Sequence, residues 1–208
     1  VSSPSATESS GPLGLDRDRR RAFIFVGAMA AIMWVAEVVD AALGGDLDAG
    51  GIRPRDTDGL DGIAFSPFLH GGFDHLIANT IPFLVLGGTI ALSGLARVVS
   101  VTAIVAVVGG FGTWLVAPQN TIHIGASGIV FGYAAYLIAR AVWTRSLAHM
   151  GAALLIIGIW GLTLLGGLLP QEGISWQGHF FGAVGGVVAA WALDGRTARR
   201  RREARAAA

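Results

Sequence analysis

Apolar side chains fall into six runs separated by short polar breaks: Ala22 to Leu43, Leu76 to Ala96, Val98 to Ala117, Ser127 to Ala139, Leu147 to Leu169 and Trp176 to Leu193. Most approach the ~20 residues at which a helix, rising about 1.5 Å per residue, crosses a hydrocarbon core of about 30 Å. A chain in lipid must satisfy its own backbone N–H and C=O groups, and a helix does so within one segment. The pattern predicts an all-α, polytopic membrane protein: a bundle of six transmembrane helices over residues 22–194, between a polar tail (1–21) and an Arg-rich tail (195–208).

The fourth run departs from the rule. From Ser127 to Arg140 there is length for only about 20 Å of helix, so this helix is expected to begin inside the membrane. Pro118 to Ala126 must then descend as irregular backbone, which survives at that depth only when buried in protein or lining a wet cavity. The second and third runs are separated only by Arg97 and its neighbours, which predicts an antiparallel pair joined by a tight cytoplasmic turn.

Composition agrees with the pattern. Of 208 residues 53% are hydrophobic and 14% charged, with a mean hydropathy of +0.61, values outside the usual soluble range. The absence of cysteine excludes a thiol nucleophile, disulfides and a Cys-ligated metal. All fifteen basic residues are Arg, and six spans place 13 of them on one side, in the two tails and at Arg97, Arg140 and Arg145. Positive charge marks that side as the cytoplasm, with both termini there. The other side carries the long loop Gly44 to Phe73, in which Arg53 and Arg55 lie amid five aspartates. Val1 to Gly14, rich in Ser, Pro, Gly and Ala, is expected to be disordered. Because the first apolar run starts only after Arg21, it is read as a membrane helix and not as a cleaved secretory signal. The tail from Arg196 to Arg205 suits anionic lipid headgroups or simple topology anchoring.

Ionisable or strongly polar groups inside spans are costly and so are candidates for function. Here they are Glu37, Asp40, His75, Asn79, Ser127 and His179. Ser127 lies in Gly125-Ala126-Ser127-Gly128, where small neighbours permit a sharp turn and free N–H groups at a helix start could hold an oxyanion. Taken alone, that string more often marks a helix-packing serine. The partner is what distinguishes them: His179 precedes Asp194 by fifteen residues as Ser127 precedes Arg140 by thirteen, so both sit about 20 Å above the cytoplasmic boundary. Gly178, Gly182 and Gly186 on one helix and Gly128 and Gly132 on the other repeat at spacing four, the small-residue faces that let helices touch. No acidic residue in the last run is placed to orient His179, which predicts a dyad. His75 and Asn79, four apart on one helical face, suit an oxyanion hole, or alternatively bonds to neighbouring backbone. Glu37 and Asp40 near the outer end of the first helix are expected to be hydrated; His70 and His123 are expected in loops and His149 at a cytoplasmic turn.

Three stretches resemble the rhomboid family of intramembrane serine proteases in the family's order: His70-Gly71-Gly72-Phe73-Asp74-His75-Leu76-Ile77-Ala78-Asn79, Gly125-Ala126-Ser127-Gly128, and Gly178-His179 followed by Gly182 and Gly186. The resemblance runs from about Phe68 to Gly186. It implies a six-helix bundle of the bacterial cell-membrane type in which Ser127 attacks the scissile carbonyl and His179 takes its proton. The side chains of His75 and Asn79 and the Ser127 N–H would hold the oxyanion, and Phe131 would lie against the imidazole, supported by the small residues Gly125 and Gly128. The substrate would be a transmembrane helix of another protein; no metal, cofactor or nucleic acid is implied. The first loop departs from the family pattern, with Gly51-Ile52-Arg53-Pro54-Arg55 where well-studied bacterial members carry a Trp-Arg pair. A polar transport pathway through Glu37, Asp40, His75 and His179, or a non-catalytic chaperone, are the readings from other classes.

Overall fold

A computed structural model describes residues 16–195. The expectations for the disordered first residues and for the Arg-rich C-terminal tail fall on 1–15 and 196–208, outside the described residues. Helix α1, Arg17–Leu43, starts ahead of its apolar run: Asp16 caps it by accepting from Arg19 N at 2.8 Å, so the basic cluster Arg17 to Arg21 forms its first turns. Gly44, at φ 79°, ends it in a left-handed cap. The long loop is ordered by short 3-10 turns and a one-turn helix, α2 (Gly62–Phe65). Then follow α3 (Phe73–Ala91), α4 (Leu95–Val116), α5 (Ser127–Thr144), α6 (Leu147–Gly167) and α7 (Trp176–Ala190), the last continued by a π turn over Trp191–Gly195.

Two boundaries move relative to the sequence reading. The reversal between the second and third runs is centred on Leu92 to Gly94, because Gly94 at φ 96° takes the turn, and Arg97 lies inside the first turns of α4. The short fourth run extends past Arg140 to Thr144, making α5 18 residues long. It begins at Ser127, as its pattern predicts. Four helices, α1, α3, α4 and α6, have the length and hydropathy to cross a bilayer. The two that form the centre of the bundle, α5 and α7, are less apolar or shorter.

The packing is apolar inside and outside alike. Tyr133, Tyr136, Phe83, Leu86 and Ile90 are buried where α3, α4, α5 and α7 meet, while Leu, Ile and Val side chains cover the outside. Leu162 on α6, for example, is 88% exposed. An apolar exterior of this extent is a lipid-facing surface, and the chain is an integral membrane protein. The α5–α7 contact is made by backbone: a Cβ at Gly182 would overlap the Gly128 carbonyl, and one at Gly186 would overlap the Gly132 carbonyl. At the opposite end of these helices from Ser127 and His179, Asp194 accepts from Tyr136 Oη at 3.0 Å and from Arg97 Nη1 at 3.1 Å, with Arg140 Nε 3.4 Å away.

The structure corrects the expectation that Glu37 and Asp40 are hydrated. Both are buried between α1 and the first loop, where Asp40 Oδ1 accepts from Leu47 N at 2.7 Å. Asp48 joins them, and its carboxyl is pushed up to about 6 by burial first and then by the negative charges of Asp40 and Glu37. A raised carboxyl pKa stabilises the fold below the unfolded value, 3.8, and that contribution is lost as pH rises through about 6. Asp48→Asn should therefore raise the thermal midpoint at pH 7 and flatten its fall between pH 4 and 6. An unchanged slope in melting curves across that range would refute this account of the loop.

Candidate active site

The site is assembled from the first loop, the strap before α5 and the ends of α3, α5, α6 and α7. Pro118 to Ala126 forms a strap leading into α5, and it is pinned to the first loop by backbone: Ile52 and His123 exchange hydrogen bonds of 2.9 and 3.0 Å, and Gly125 N donates to Ser66 O at 2.8 Å. Ala126 N donates to His70 Nε2 at 3.2 Å. His70, expected as a loop residue, is in a loop but almost fully buried. Burial, followed by the neighbouring His75, pushes its pKa down to about 4, and in the neutral ring the bond from Ala126 N assigns the lone pair to Nε2.

Gly125 adopts φ 110°, a conformation that side-chain-bearing residues rarely take. The space beside it is filled: a Cβ there would lie 2.8 Å from His75 Cε1, 3.0 Å from His75 Nε2 and 3.7 Å from Ser127 Oγ. The His75 ring and the Ser127 hydroxyl thus flank the same point. Ser127 is the first helical residue of α5, where backbone N–H groups have no partner within the helix.

His179, in the first turns of α7 and 8% exposed, meets Ser127 across the α5–α7 contact with Nε2 2.8 Å from Ser127 Oγ. Its other nitrogen, Nδ1, is 2.7 Å from Gly167 O. A carbonyl only accepts, so Nδ1 carries the proton and Nε2 is free to accept from the serine hydroxyl. Phe131 stacks on the imidazole with ring centroids 4.1 Å apart and planes 4° from parallel. The matched depth of Ser127 and His179 is therefore present as a direct hydrogen bond. The Gly167 carbonyl is a group the sequence reading missed; it is one of the last carbonyls of α6, which have no partner within their helix.

Asn79 is buried one turn beyond His75, and its Nδ2 donates to His75 O at 3.0 Å, the local backbone bond weighed as the alternative for this residue. One Nδ2 hydrogen remains for another acceptor. Gly128 packs against the Gly178 carbonyl, 3.2 Å from where its Cβ would be. A cavity of about 50 Å³ adjoins Ser127 and is lined in part by Ser66, Thr113, His123 and Ser175. Such a space, with several polar partners, accommodates water. His149, expected at a turn, lies in the first turns of α6 and pairs with Thr144 Oγ1 at 2.8 Å.

Residues 59–196 match the Rhomboid domain, and the chain belongs to the rhomboid family. Uncharacterized proteins of Mycobacterium bovis and Mycobacterium tuberculosis are each 45% identical to it over 172 residues, 79% of this chain and 72% of theirs. An uncharacterized protein of Mycobacterium leprae is 42% identical over 173 residues, 79% of this chain and 68% of its own. A Bacillus subtilis protein, YdcA, provisionally named a rhomboid protease, is 29% identical over 121 residues, 58% of this chain and 60% of its own.

Proposed function

We propose that the protein is an intramembrane serine endopeptidase that hydrolyses a peptide bond in or near the transmembrane helix of other membrane proteins, through a Ser127–His179 dyad within six membrane-crossing helices. The observation that carries this reading is the ordered chain Ser127 Oγ to His179 Nε2 at 2.8 Å and His179 Nδ1 to Gly167 O at 2.7 Å. A backbone carbonyl does the orienting work that a carboxylate does in a triad: it fixes the tautomer and the ring direction.

In this reading His179 Nε2 takes the Ser127 proton as Oγ attacks the scissile carbonyl, and the imidazolium then protonates the leaving amine. The oxyanion is held by the Ser127 N–H and the His75 side chain, with Asn79 contributing the Nδ2 hydrogen that its bond to the His75 carbonyl leaves free. Water from the adjoining cavity hydrolyses the acyl-enzyme with His179 again as base. The substrate helix must unwind locally to present a peptide bond, since in lipid its backbone is otherwise bonded to itself. Both termini of the protease lie on the cytoplasmic side of a bacterial cell membrane in this topology.

The purified protein in detergent should react with a fluorophosphonate probe, and Ser127→Ala should not. Labelling that persists in Ser127→Ala, or a wild type that stays unlabelled while cleaving no transmembrane substrate, would refute the proposal.

A further inference from the structure

Next to the Ser127–His179 pair is a second pairing of serine with histidine, His123 with Ser175, which the reaction above does not use. His123 sits on the strap that leads to Ser127, where its backbone is already held by Ile52. Its side chain faces the other way, towards the loop that enters α7. His123 Nδ1 lies 2.7 Å from Ser175 Oγ, and His123 Nε2 lies 2.8 Å from Thr121 Oγ1.

The protons of this chain can be placed. Thr121 Oγ1 donates its single proton to Pro118 O at 2.6 Å, so it can only accept from His123. That puts the ring proton on Nε2 and leaves Nδ1 an acceptor. Ser175 then donates to Nδ1, while its oxygen accepts from Gly178 N at 3.2 Å. Each donor is used once, and all the bonds run in one direction, from the α7 backbone to the Pro118 carbonyl. Burial lowers the His123 pKa, which keeps the ring neutral as this arrangement demands.

Ser175 is the N-cap of α7 and grips its first turn twice: the side chain takes Gly178 N, and the carbonyl accepts from His179 N at 3.1 Å. We infer that His123 is a positioning residue for His179, acting through Ser175. It fixes the rotamer of the N-cap, and with it the rotation of the α7 turn that aims Nε2 at Ser127. The strap thus controls both members of the dyad, Ser127 through the backbone and His179 through this side-chain relay. The inference rests on the dyad reading above. Without the Nδ1 acceptor the Ser175 hydroxyl turns freely, and an error of about 1 Å in the placement of a reacting group is worth on the order of a hundredfold in rate.

The test is the rate of fluorophosphonate labelling as a function of probe concentration, with thermal midpoints recorded alongside. His123→Ala and Ser175→Ala should each lower the saturating rate by roughly ten- to a hundredfold, leaving the half-saturating concentration unchanged. The double variant should be no slower than the singles. His123→Asn, which supplies an acceptor oxygen near the Nδ1 position, and Ser175→Thr, which keeps the hydroxyl, should recover most of the rate. The inference is overturned by a wild-type rate in His123→Ala, by His123→Asn being as slow as His123→Ala, or by single losses that multiply in the double variant. If His123→Ala does not fold, the contrast of Ser175→Ala with Ser175→Thr decides in the same way. Ser127→Ala labelling like wild type would instead remove the dyad reading itself, so the two failures are distinguishable.

Discussion

His179→Ala should lower the turnover of a transmembrane-segment substrate in liposomes by on the order of 10⁴- to 10⁶-fold, and adding Ser127→Ala should lower it no further. In the proposed mechanism the two residues act as one unit: the hydroxyl is a nucleophile only while Nε2 removes its proton, so the loss of either removes the same step. In that mechanism what survives is the contribution of the proposed oxyanion donors, the N–H groups at the start of α5 and His75. The KM for the substrate should change little, because neither side chain is needed to hold a helix in the bundle. A loss in the double variant equal to the product of the single losses would show that they act independently and would exclude the dyad.

The second large effect lies at the far end of the same helices. Asp194→Ala should destabilise the protein by about 3–5 kcal/mol in detergent unfolding, because it strands charges that have been removed from water. The carboxylate is 6% exposed and the Arg140 side chain 12% exposed. Arg140 Nε has no hydrogen-bond partner among the described residues, and the carboxylate of Asp194, 3.4 Å away, compensates its charge. The Tyr136 hydroxyl would lose its acceptor as well. Asp194→Asn, which keeps an acceptor and removes the charge, should fall between the two. A cost below about 1 kcal/mol, the value of a solvated pair, would mean that water reaches this cluster.

Much of this arrangement was legible in the chain because membrane helices convert residue number into depth. Ser127 and His179 could be matched by counting back from Arg140 and Asp194, and the glycines at spacing four announced the contact that joins them. Carbonyl acceptors carry no such mark: Gly167 looks like any glycine at the end of an apolar run, and its role depends on where α6 stops. His123 and Ser175 are separated by 52 positions and meet only after two loops have folded, so periodicity says nothing of either. Charge does not locate the reversal: Arg97 lies within α4, and the glycine three residues earlier, Gly94, has the backbone freedom to turn. The burial of Glu37 and Asp40 is not legible, because depth alone does not reveal which face of α1 the first loop covers.

The carbonyl that bonds His179 Nδ1 belongs to α6, the long helix with the fewest ties to the rest. Only 11% of the apolar stretch of α6 is buried, its packing is chiefly against α5, and Gly167 is its last residue. A tilt that moves this end by about an ångström stretches a 2.7 Å bond beyond useful length and releases the imidazole to rotate about Phe131. If Ser127 is the nucleophile proposed above, its competence should depend on the lipid, since the tilt of a membrane helix answers to the thickness around it. Labelling of Ser127 in bilayers of increasing acyl length should pass through a maximum while the melting midpoint stays level; a flat response would show that α5 alone holds α6 in place. The protease would then be silent in one membrane and awake in another with no change in its own sequence.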